Sequence, residues 1–166
     1  TATTIGKSAF TGCTGELTLK VNVENRTSYT DGVFYGSKFS KVVIGNNVTA
    51  VGDYAFYGCK SIDSVVFGEA VETVGNYSFY GCTSVTSLAI PQGVRRIGEA
   101  AFKGCSTLTE VIFAEDSLLD IIDKDAFSGC SLLGSIHIPN GVRTLGDSAF
   151  SGCSSTTTVV VPASVN

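Results

Sequence analysis

The sequence predicts a repeat solenoid of about seven coils, with a parallel β-sheet along one side and short β, 3-10 or helical turns along the other. Three observations predict it. A nonapeptide, VGDYAFYGC at 51–59, returns as VGNYSFYGC at 74–82 and as IGEAAFKGC at 97–105. The cysteines that close this and the related stretches fall at 59, 82, 105, 130 and 153, so the successive gaps are 23, 23, 25 and 23 residues. Apolar residues then stand three, six and eight positions after each cysteine, as in Ile62, Val65 and Phe67, or Val85, Leu88 and Ile90.

The corner is the first element of each coil. Cys13 precedes Cys59 by 46 residues, twice 23, so one repeat lies between them, and VFYGS supplies it with Phe34, Gly36 and Ser37. Phenylalanine therefore recurs at 10, 34, 56, 79, 102, 127 and 150, each time with glycine two residues later. Gly52, Gly75, Gly98 and Gly146 open the turn and are read as sites of positive φ or close backbone approach, and the second glycine ends it. Small residues at Ala55, Ser78, Ala101, Ala126 and Ala149 leave room for the next coil. The seven phenylalanines are expected to stack as one spine, each worth about 1.5 to 3 kcal/mol of burial.

A short strand follows each corner. The trios continue as Leu108, Val111 and Phe113, then Leu133, Ile136 and Ile138, then Thr156, Val159 and Val161, and their closing alternation is that of a strand with one buried face. Pro91, Pro139 and Pro162 come next, where the missing amide donor cuts the strand off. Val71, Val94 and Val142, each followed three residues later by Val74, Ile97 or Leu145, form a second inward segment. A period near 23 lies within the range of about 20 to 29 residues for leucine-rich repeats. The predicted architecture is thus a right-handed leucine-rich-repeat stack, one domain over residues 1–166, in which each coil buries its apolar face only against its neighbours.

Two stretches depart from the period and read as loops: NVENRTSYTDG before Phe34, and AEDSLLDIIDKD with Glu115, Asp116, Asp120, Asp123 and Asp125. The second could offer oxygen ligands to calcium, but its spacing matches no EF-hand and a solvated acidic loop is the favoured reading. The first strand, within ELTLKVNV, has an ambiguous register. Asn25-Arg26-Thr27, Asn47-Val48-Thr49 and Asn76-Tyr77-Ser78 are glycosylation sequons. No capping segment precedes Ile5 and Asn166 falls in mid-coil, so further repeats or domains are expected on at least one side.

Composition excludes several classes. No two cysteines are closer than 23 residues and there is one histidine, so zinc ligation is not supported and no cofactor is implied. Stacked strands repeat at about 4.8 Å, whereas a disulfide wants Cβ atoms nearer about 3.8 Å apart, so buried free thiols are favoured. A net charge of -4 with no basic cluster beyond Arg95-Arg96 argues against nucleic acid. No apolar run reaches the length of a membrane span. A lone histidine also removes the usual catalytic triads, so no enzyme is read here.

SVTSLAIPQGVRRIGEAAFKGC at 84–105 and the corresponding segment LLGSIHIPNGVRTLGDSAFSGC resemble the BspA-like, or Treponema-type, leucine-rich repeat, with its Leu-x-x-Ile-x-Ile-Pro strand and Ile-Gly-x-x-Ala-Phe-x-x-Cys corner. The resemblance covers nearly the whole chain. It implies a secreted or surface protein of mucosal bacteria or protozoa, a family in which some members are adhesins for host matrix proteins or other cells. It carries over no catalytic residue.

The candidate site lies on the strand side. Between the second and third buried residues of each strand one outward position recurs, giving the column Val43, Val66, Ala89, Ile112, His137 and Val160, flanked by Asp63, Thr86 and Glu110 among other polar residues. An apolar row at a solvent-facing position with a polar rim suggests a protein contact, with Ile112 as anchor and His137 making it sensitive to pH. The competing explanation is β-propensity, since Val, Ile and Thr fill strands whether or not anything binds. The function this supports is protein binding, directed at a host matrix or cell-surface protein or at a second copy of the chain; the alternative is a structural spacer. Ice binding is a remote third, because Ser87, Glu110 and Ser135 break the threonine columns.

Overall fold

The computed structural model describes residues 5–166. The chain is a parallel β-solenoid that makes about six turns between the corner at Phe10 and the corner at Phe150. Strands β1 (Thr14–Leu19) and β2 (Lys38–Ile44) come first. Each later coil then has a two-residue strand before its corner and a longer one after it: β3 (Ala50–Val51) and β4 (Ser64–Val66), β5 (Thr73–Val74) and β6 (Ser87–Ile90), β7 (Arg96–Ile97) and β8 (Glu110–Phe113). The last two coils contribute β9 (Ile121–Ile122) with β10 (Ser135–His137), and β11 (Thr144–Leu145) with β12 (Thr158–Val160). Helix is nearly absent among the described residues: the turn-side elements are tight turns and one 3-10 turn, Tyr29–Asp31, inside the first predicted loop.

The phenylalanine spine forms as the spacing predicts. Phe34, Phe56, Phe79, Phe102 and Phe127 are buried, and successive rings from Phe10 to Phe150 stack with centroids 4.7 to 5.4 Å apart. Each corner is also a hydrogen-bond ladder. In the third coil the amides of Tyr54, Phe56 and Gly58 donate to the carbonyls of Asn76, Ser78 and Tyr80 at 2.9, 2.7 and 2.7 Å, and the fourth coil repeats the pattern onto Glu99, Ala101 and Lys103. Three bonds at each of the third to sixth corners satisfy backbone groups that an irregular buried turn would otherwise orphan.

The glycines divide their roles more sharply than the sequence suggests. The closing glycine is left-handed, as at Gly58 with φ 68°, and ends the turn. The opening glycine is not left-handed: it is a point of close approach, since a Cβ on Gly75 would lie 2.5 Å from the Val51 carbonyl oxygen. The left-handed conformation falls instead two residues later, on Tyr54, Tyr77, Ala100, Asp125 and Ser148, at φ between 51° and 58°. Such a residue costs about 1 to 2 kcal/mol, and the corner ladder holds it in place.

The strand side departs from the single in-register sheet expected of it. It consists of three sheets, β1-β2-β4, β6-β8 and β10-β12, while the two-residue strands form one continuous sheet in the order β11-β9-β7-β5-β3. Both interruptions fall where a proline-ended coil stacks on a coil without proline. Gly45 and Ala114, at the positions of Pro91 and Pro139, donate their amides to Leu19 and Ile90 of the preceding coil at 2.8 and 3.2 Å. Proline has no such donor. Proline alone does not open a seam, because β12 ends two residues before Pro162 and still pairs with β10 over three residues.

Burial follows position along the stack. The trios of the third, fourth and sixth coils are buried, Val111 and Phe113 are half-buried, and Val159 and Val161 are exposed because nothing stacks beyond β12 among the described residues. The register of the first strand, which sequence leaves ambiguous, is set by pairing Leu17 with Val42 and Thr18 with Val43, with a bulge between Gly15 and Glu16.

Candidate functional site

The outward column assembles in registered pairs. Val43 lies opposite Val66, Ala89 opposite Ile112 and His137 opposite Val160. Thr18, paired with Val43, extends the row into the first coil. Val66, Ile112 and Val160 keep 46, 51 and 47% of their surface in solvent; Ala89 and His137 are exposed and Val43 is half-buried. Asp63, Thr86 and Glu110 are exposed beside it.

The two seams of the strand side open into clefts that the sequence does not reveal. Between the third and fourth coils a cleft of about 400 Å³ is lined by Phe67, Glu69, Ala89, Ile90, Pro91, Gln92, Ile112 and Ala114. Its walls are apolar and its rim carries Glu69 and Gln92. A second cleft of about 460 Å³, between the fifth and sixth coils, is polar and is lined by Thr109, Glu110, Ser135 and His137 with neighbouring backbone. His137 thus shares a cleft with Glu110 and stands beside Ile136, which is buried.

The remaining chemistry-bearing side chains serve the scaffold. Cys59, Cys82, Cys105 and Cys130 are buried free thiols. Each donates to the carbonyl of the preceding coil's corner phenylalanine, 3.1 Å from Cys59 Sγ to Phe34 O and 3.3 Å for the other three. Burial pushes the Cys59 thiol up to about 11 and the Cys105 thiol up to about 12. Ser37, at the cysteine position of its coil, lies 3.6 Å from Cys59 Sγ. In the acidic loop Asp120, Asp123 and Asp125 pair with Arg143, Arg96 and Lys103, and no three His, Cys, Asp or Glu side chains converge among the described residues.

Sequence reasoning missed two ladders. Asn25, Asp53 and Asn76 each accept the amide of the following coil's turn through Oδ1, at 3.0, 2.7 and 2.9 Å from Asp53, Asn76 and Glu99. The Asn76 sequon is therefore occupied by the scaffold, with Ser78 buried. The second ladder gathers all six tyrosines of the chain on the corners of the second to fourth coils. Tyr54 stacks on Tyr77 at 4.9 Å, and Tyr57 lies between Tyr29 and Tyr80 at 5.1 and 4.6 Å. The 23-residue spacing of Tyr54 to Tyr77 and of Tyr57 to Tyr80 is its signal in the sequence.

A parallel solenoid with a phenylalanine spine and an exposed strand face defines a leucine-rich-repeat protein. The chain belongs to the BspA type leucine rich repeat region family, whose profile matches in six copies over residues 1–109 and 27–156. Similar solved structures include a leucine rich repeat protein of Treponema pallidum, 30% identical with a TM-score of 0.74, which covers 85% of this chain and 63% of that one. A leucine rich cell surface protein of Faecalibacterium prausnitzii is 24% identical, with a TM-score of 0.59, and covers 87% of this chain and 46% of that one. The pneumococcal vaccine antigen PcpA shares the fold at 20% identity and a TM-score of 0.68, covering 92% of this chain and 40% of that one. The chain thus spans less than two thirds of each of these neighbours. No curated protein sequence matches it. No helix among the described residues is long and apolar enough to cross a membrane.

Proposed function

We propose that this chain is a non-enzymatic binding module of a secreted or surface protein, and that its strand face docks a protein partner such as a host extracellular-matrix or cell-surface protein. The observation that carries this reading is the exposed apolar column, in which Val66, Ile112 and Val160 stay about half exposed. Exposed apolar surface with a polar rim is the usual mark of a contact site. Ile112, half exposed at the middle of the column, is the anchor. The cell-surface protein among the structural neighbours supports an extracellular setting.

The test is retention on immobilised extracellular-matrix and serum proteins. Ile112→Asp and Val66→Asp are expected to abolish retention and leave the melting temperature within a few degrees of the wild type, because both side chains are already in solvent. Arg95→Glu, away from the strand face, is expected to retain binding. Unchanged retention by both stripe variants would refute the assignment, and no retention by the wild type would favour a spacer that holds other domains apart.

A further inference from the structure

The seam beside Ala89 has a feature that the polar cleft at His137 lacks: an apolar recess. Ala89 stands between Val66 and Ile112, and its short side chain leaves the cleft of about 400 Å³ open over Phe67, Ile90 and Pro91. An apolar recess within an exposed apolar row is the shape that receives a single anchoring side chain, the arrangement in which interface energy concentrates.

The charge around the recess is of one sign. The strand-side segments 61–71, 83–94 and 106–118 carry Asp63, Glu69, Glu110, Glu115 and Asp116 and neither lysine nor arginine. All five carboxylates are exposed. None takes part in the six ion pairs among the described residues; the pair on the strand side, Lys41 with Glu16, lies on β2 and β1 beyond the recess. Five carboxylates without an ion-pair partner on these three coils, with the nearest strand-side lysine on β2 one coil away, raise a local field that draws in cations and repels anions, and its reach shrinks with salt.

Resting on the protein-binding reading above, we infer that the recess at Ala89 receives one bulky apolar side chain of a partner polypeptide, and that the acidic face selects a side chain flanked by lysine or arginine. The apolar contact supplies affinity. The carboxylates supply steering and discrimination against acidic segments.

The test uses a short fluorescent peptide with one phenylalanine between pairs of lysines, titrated with the protein and read by anisotropy at two salt concentrations, with amide chemical shifts locating the contact. Shifts centred on Ala89, Ile90 and Ile112 are expected. Ala89→Leu fills the recess from an exposed position, so the fold is kept and the affinity is expected to fall at least tenfold; replacing the peptide's phenylalanine by alanine should do the same. The Glu69→Lys, Glu110→Lys double variant is expected to lose at least tenfold at low salt and most of the salt dependence. Equal affinity for wild type and Ala89→Leu, equal affinity for a peptide with glutamates in place of lysines, or no binding at all would overturn the inference. Such a result would leave the stripe itself standing, because retention of matrix proteins and its loss in Ile112→Asp are measured without this peptide.

Discussion

The rings of Phe79 and Phe102 lie 5.4 Å apart and within 6° of parallel, each buried to within 1% of complete. Each is thus both a core residue of its own coil and the floor of the next. Truncating either leaves a cavity between two coils. Phe79→Ala and Phe102→Ala are expected to cost about 3 to 5 kcal/mol in denaturant unfolding, and Phe10→Ala, at the half-buried end, clearly less. Equal losses at all three positions would contradict a stack in which coils contact only their neighbours.

The thiols give a pH prediction with a definite sign. Burial raises Cys59 from 9.0 to about 11 and Cys105 from 9.0 to about 12, so the unfolded chain releases these protons at lower pH than the folded one. Their contribution to stability is complete below pH 9 and is lost as pH rises from there through the folded values. Denaturant midpoints measured from pH 8 to 10.5 should fall above pH 9, and less so in Cys59→Ser, Cys105→Ser. In the same protein a thiol reagent at neutral pH should label exposed Cys13 quickly and the four buried cysteines only on unfolding.

Gly75 tests the close approach of coils directly. A methyl group there would meet the Val51 carbonyl oxygen at 2.5 Å and the Asp53 amide nitrogen at 2.8 Å, both backbone atoms that cannot swing aside. Gly75→Ala is expected to cost about 1 to 3 kcal/mol. Gly134→Ala is the control, with its nearest neighbour at 3.7 Å, and should be near neutral. A reversed order in thermal melts would show that the opening glycine is tolerated for some reason other than space.

Asn76 accepts from the Glu99 amide at 2.9 Å and from Arg96 at 3.0 Å. Asn76→Ala is expected to lose about 1 to 2 kcal/mol, and Asn76→Asp, which keeps the acceptor but replaces the Nδ2 donor to Asp53 by a second carboxylate, to recover only part of it. Equal losses in the two variants would place the role of Asn76 in its amide nitrogen instead.

Whatever repeats at fixed period was legible before any coordinates, because a period belongs to one dimension: the phenylalanine spine, the thiol positions and the outward column all follow from it. What depends on how one coil meets the next was not. The seams at Pro91 and Pro139 fall only where a proline-ended coil stacks on one without proline, and no single coil's sequence reports its neighbour's ending. The left-handed Tyr54 and Tyr77 defeat propensity, which would have put glycine there. The recess at Ala89 needed both kinds of knowledge. Alternation marks Ala89 as outward, but only the opening of β4 from β6 makes its smallness a cleft.

The tyrosine ladder has an optical consequence. The chain has no tryptophan, and all six tyrosines stand on the second to fourth coils. Intrinsic fluorescence and near-ultraviolet ellipticity in the tyrosine band therefore report one end of the rod, while far-ultraviolet ellipticity reports its whole length. In a linear array the two ends can melt separately. A gap between the two midpoints would then measure how far cooperativity extends along the coils, without a label being attached.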